Sequence, residues 1–119
     1  MTVRRESART VALLFGVALT VGTLAPAGAG GGAPALAVGP IGLDKLLHAG
    51  GFLVLTVLVA RAAPGGKIGF GLVIALVAYG GGLELAQSFV PGRTPDVLDF
   101  LANVIGVVVG LLVARWVER

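Results

Sequence analysis

Residues 79–110 read Y-G-G-G-L-E-L-A-Q-S-F-V-P-G-R-T-P-D-V-L-D-F-L-A-N-V-I-G-V-V-V-G, and this stretch decides the fold. Two apolar runs meet at a short turn, Pro91 to Pro95. Six polar side chains flank that turn: Glu84, Gln87, Arg93, Asp96, Asp99 and Asn103. The apolar runs are continuous and show no period-two alternation. They therefore read as helices, which satisfy their backbone polar groups internally and can face lipid. Polar residues gathered at one turn between such helices mark a candidate site.

Composition sets the environment. The chain has 119 residues, 56% hydrophobic and 13% charged. Soluble domains hold roughly 45–50% apolar and about 25% charged residues. This is the profile of one small integral membrane domain. There is no cysteine, which excludes disulfides and thiol-based metal or redox chemistry. The net charge of +3 comes without a basic patch interleaved with aromatics, so nucleic acid is not an expected partner. No cofactor and no metal set is expected, since His48 is the single histidine.

Working outward, the pattern predicts an all-α fold, an antiparallel bundle of four transmembrane helices over about 11–25, 43–63, 68–90 and 96–116. Each is close to the roughly 20 residues that cross about 30 Å of hydrocarbon, the first being shorter. Residues 1–10 read as a cytoplasmic N-terminal segment and 11–119 as the membrane domain. The first apolar segment reads either as a retained anchor or as a cleaved signal, given its basic start and the small residues Ala25-Pro26-Ala27. Gly28 to Pro40 is a Gly/Pro/Ala linker. Pro64-Gly65-Gly66 marks a tight turn.

Charge gives orientation. Arg4, Arg5, Arg9, Arg61, Lys67, Arg115 and Arg119 fall on one side, and only Lys45 and Arg93 on the other. The positive-inside rule then predicts a multi-pass protein of the plasma membrane with both termini in the cytoplasm. The polar ends of helices two, three and four face outward together.

Helical spacing sorts the polar residues onto faces. Asp44, Lys45 and His48 share one. Glu84 and Gln87 share another. Asp96, Asp99 and Asn103 form a stripe that continues as Gly106 and Gly110, the small residues that let helices approach closely. Plainer roles stand beside each. Thr94, Pro95 and Asp96 read as a helix start, with Asp96 in the first turn. Asp44 reads as a cap, Lys45 as a snorkelling charge, Arg93 as an interfacial charge, and Asn103 as an interhelical hydrogen-bonding group. Glu84 is hardest to explain away. It falls about six residues, or roughly 9 Å, below the expected helix end, where an acid needs a partner. Arg93, Lys45 and His48 are the partners expected at that level.

Taken together, Asp44-Lys45-x-x-His48-x-x-x-Phe52, Glu84-x-x-Gln87-x-Phe89-x-Pro91-Gly92-Arg93 and Asp96-x-x-Asp99-x-x-x-Asn103-x-x-Gly106-x-x-x-Gly110 resemble the VanZ-like family of small bacterial membrane proteins. The resemblance runs from Asp44 to Gly110. Gly50-Gly51 departs from it, standing where bulkier residues are more usual. It implies a four-helix membrane protein and a link to glycopeptide resistance of the teicoplanin type. The expected function is a cell-envelope membrane protein whose outward pocket binds a lipid-linked or amphiphilic ligand. Asp44, Lys45, His48, Glu84, Gln87, Arg93, Asp96, Asp99 and Asn103 would bind it or organise the site. One alternative is an enzyme with Glu84, Asp99 and His48 as acid–base candidates. Another is a structural partner subunit. The sequence leaves the oligomeric state open.

Overall fold

The computed structural model describes residues 2–24, 43–91 and 97–117, with side chains from Arg5 and Lys45 onward in the first two segments. Its four helices are α1 (Thr2–Leu24), α2 (Leu43–Ala62), α3 (Phe70–Gln87) and α4 (Val97–Val117). Each contains a segment long and apolar enough to cross a membrane. The described residues are therefore helical apart from their turns, and the protein is of the multi-pass type that lives in a bilayer.

Helix α1 starts nine residues before the apolar run. Arg4 to Thr10 holds good helix formers and neither glycine nor proline, so the apolar run marks the span and not the helix. Helix α2 stops two residues before Pro64, and a single 3₁₀ turn follows, Pro64–Gly66. There Gly65 and Gly66 have φ of 73° and 71°, open to glycine at little cost. Helix α3 is shorter at both ends than the apolar pattern suggests. Lys67 to Gly69 is not helical. At the other end Ser88, Phe89 and Val90 donate to the carbonyls of Leu85, Ala86 and Gln87, a tightened turn ahead of Pro91.

Sequence neighbours run antiparallel, so α2 and α4 run parallel, and they form the most extensive contact in the bundle. His48 meets Asn103. One turn on, a Cβ added to Gly106 would run into the Ala49 carbonyl oxygen and come within 3.0 Å of Phe52 Cβ. Two turns on, a Cβ at Gly110 would lie 2.7 Å from Thr56 Cβ and 2.8 Å from the Leu53 oxygen. The glycine stripe thus lies directly on the α2 backbone. Lipid tails are as apolar as leucine, so such close packing, more than apolar burial, holds membrane helices together.

Phe52 is fully buried where α2, α3 and α4 meet. Its ring stands 5.7 Å from that of Tyr79, tilted by 38°. Gly80 of α3 leaves room for both Phe52 and Asn103. Helix α1 docks through polar groups. The Tyr79 hydroxyl donates to the Gly16 carbonyl at 3.1 Å and contacts the Thr20 hydroxyl. Gln87 Nε2 donates to the Thr23 carbonyl at 2.7 Å. Leu19 fills the space beside Gly51, which accounts for a small residue there.

Candidate functional site

The start of α2, the end of α3 and the start of α4 come together at one end of the bundle. Lys45 and His48 lie on one α2 face, three residues apart. Glu84 lies one turn from the end of α3. Asp99 lies in the first turn of α4, where the helix dipole favours an acid. Asn103 follows one turn later.

Asp99 is the hub. Its Oδ1 lies 3.3 Å from Lys45 Nζ, and its Oδ2 lies 3.9 Å from His48 Nε2. The other ring nitrogen, His48 Nδ1, is 3.2 Å from Asn103 Oδ1. The imidazole is hydrogen-bonded on the Asn103 side, with the Asp99 carboxylate facing its other nitrogen. Asp99, Asn103 and Glu84 are buried, while the Lys45 and His48 side chains keep 20% and 13% exposure. Lys45 is the most exposed member of the cluster. Asn103 Nδ2 is buried and makes no hydrogen bond among the described residues, an uncommon state for such a group.

Glu84 sits differently from its expected place. With α3 ending at Gln87, it is about 4.5 Å below the helix end. It is buried by packing, at 8% exposure. One donor atom from each of His48, Glu84 and Asp99 can be chosen so that all lie within 4.8 Å of one another. Two acids, one imidazole and one ammonium therefore share a small volume. Such a group can hold an anion through Lys45 and His48, pass a proton, or surround a cation. The Lys45 ammonium already supplies positive charge at Asp99.

Of the residues singled out by sequence, the structure brings Lys45, His48, Glu84, Asp99 and Asn103 together. Gln87 points its amide at α1 and ties that helix to α3. Arg93 and Asp96, and the side chain of Asp44, lie outside the described residues. Sequence reasoning missed Tyr79, Thr20 and Thr23. Hydroxyls one turn apart within the first apolar run were the only signal, and Thr20 also bonds its own helix at Gly16, 2.8 Å away.

No curated protein and no solved structure matches this chain significantly. A family model described as VanZ/LLP1 does, and it matches residues 2–118, α1 and the polar end of the bundle included. The chain belongs to the VanZ/LLP1 family.

Proposed function

We propose that this protein is a non-enzymatic, multi-pass protein of the bacterial plasma membrane. Its polar end faces outward and holds the head of an amphiphilic envelope ligand, lipid-linked or of the glycopeptide class. The start of α1 and the end of α4 then lie on the cytoplasmic side, and α1 is a retained anchor. The observation that carries the reading is the partly exposed Lys45 ammonium, paired with the carboxylate of Asp99 at the end of the bundle. A pure structural lock has no need of exposure, yet the Lys45 side chain keeps 20% of it. Lys45 is a charged donor to phosphate or carboxylate, and Asp99 and Asn103 hold the donors in place.

Orientation is tested by single cysteines in this cysteine-free chain. Ser88→Cys, at the exposed polar end, is expected to react in intact cells with a membrane-impermeant thiol reagent, and Lys67→Cys is not. The reverse pattern would put the site in the cytoplasm and remove its link to envelope ligands.

Ligand binding is tested on purified protein in detergent, using teicoplanin and a polyprenyl phosphate as probes. At least one is expected to raise the unfolding temperature of wild type. Lys45→Gln, at comparable folded yield, is expected to lose that shift. No shift with either probe, or an equal shift in Lys45→Gln, sinks the proposal.

The acid–base reading keeps one supporting observation, the approach of His48 to two buried carboxylates. Glu84→Gln separates the two. A binding role survives in part because the amide still bonds, whereas proton transfer through Glu84 is lost outright.

A further inference from the structure

We propose a second site at the opposite end of the bundle, for an anionic phospholipid of the surrounding bilayer. A cleft of about 540 Å³ opens there between the end of α2, the 3₁₀ turn, the start of α3 and the end of α4. Its lining combines two cations, Lys67 and Arg115, with the apolar side chains Ile68, Val73 and Leu111. Gly66, without a side chain and held by the positive-φ turn, also lines it.

The cations need a cause. Arg115 lies in the last turn of α4, where it offsets that helix's negative end, and Arg61 does the same for α2 without lining the cleft. Lys67 has no such account. It stands three residues before α3, whose N-terminus is positive, has no acid in its first turn and no side-chain cap. A lysine there is disfavoured by the dipole. Topology asks for a cation on this side of the membrane, but not for one lining the cleft beside a second cation. Among the described residues neither Lys67 nor Arg115 makes an ion pair. An anion in the cleft would meet both cations.

The apolar side chains in the lining select the ligand class. A small soluble anion would leave Ile68, Val73 and Leu111 against water. A phospholipid places its phosphate at Lys67 and Arg115 and the start of an acyl chain along those apolar side chains. Anionic lipids are present in the leaflet that a cation-rich end faces. This site is independent of the Asp99 cluster.

The test uses the full chain in a non-ionic detergent and follows its unfolding temperature. Phosphatidylglycerol is expected to raise it, and phosphatidylcholine with the same acyl chains is not. The double variant Lys67→Gln/Arg115→Gln, altered at two exposed positions, is expected to need about 10–30-fold more phosphatidylglycerol for the same shift. Arg5→Gln/Arg9→Gln, which removes two cations outside the cleft, is expected to respond like wild type. Equal shifts from both lipids, an undiminished response in the cleft variant, or the same loss in the Arg5/Arg9 variant would each overturn the proposal. So would an equal effect of glycerol 3-phosphate, which would make the ligand a soluble phosphate.

Discussion

Gly106→Ala is expected to lower the unfolding temperature and the folded yield in detergent, and Gly106→Leu to leave almost no folded bundle. Alanine normally stabilises a helix by about 1 kcal/mol relative to glycine. Here the added carbon runs into the Ala49 carbonyl oxygen and presses on Phe52 Cβ. A backbone oxygen moves only if its helix moves, so α2 and α4 must separate. Overpacking of a tight contact costs typically about 1–3 kcal/mol and can cost more, which outweighs the propensity gain. The larger leucine widens the gap further. Separation also pulls His48 from Asn103 and Lys45 from Asp99, so the polar end fails with the packing. Gly82→Ala is the control, because nothing lies within 4 Å of a Cβ there. It is expected to be neutral or mildly stabilising. An unfolding temperature for Gly106→Ala equal to or above that of wild type would refute the close approach.

The second large effect is expected at Asp99. Asp99→Ala removes the carboxylate that pairs with Lys45 and faces His48 Nε2 at 3.9 Å. Breaking a buried ion pair costs about 3–5 kcal/mol. Lys45 is partly exposed and can turn outward, so a loss of about 2–3 kcal/mol is expected. Asp99→Asn keeps the shape and removes the charge, and it separates two meanings of the cluster. In a binding site, Asp99→Asn gives folded protein whose response to ligand is gone. In a structural lock, folded yield and any phenotype fall together. Folded yield and ligand-induced shift, measured on the same preparation, decide between them.

Much of the fold was legible because a bilayer leaves few choices. Apolar runs of about 20 residues must be helices, and Pro64 and Pro91 punctuate them. The stripe Asp99, Asn103, Gly106 and Gly110 was legible as a face from its 3.6-residue period. Its partner was not, since period gives a direction and not a neighbour. That the stripe lies on α2, parallel and out of sequence order, comes only from the structure. Helix ends were the weakest reading. Arg4 to Thr10 is helical without being apolar, and Ile68 and Val90 are apolar without being helical. The burial of Glu84 by its neighbours also comes only from the structure. The docking of α1 by Tyr79 and Gln87 was invisible, because a hydroxyl or an amide in an apolar run does not announce which carbonyl it will find.

The glycine contact between α2 and α4 divides the molecule into a fixed part and an adjustable one. Two helices whose backbones touch cannot slide or rotate by small amounts without a clash, so they behave as a spine. Lys45, His48, Asp99 and Asn103 all belong to that spine, and their mutual geometry is set before any ligand arrives. Glu84 does not. It rides on α3, which meets the spine through side chains such as Tyr79 and Phe100 and is tied to α1 by Gln87. Separating α3 and α1 from that spine disturbs side-chain contacts only, whereas parting α2 from α4 breaks the glycine contact. Among the described acids, Glu84 is the one that a movement of α3 would carry away from Asp99, while Asp99 stays with Lys45 on the spine.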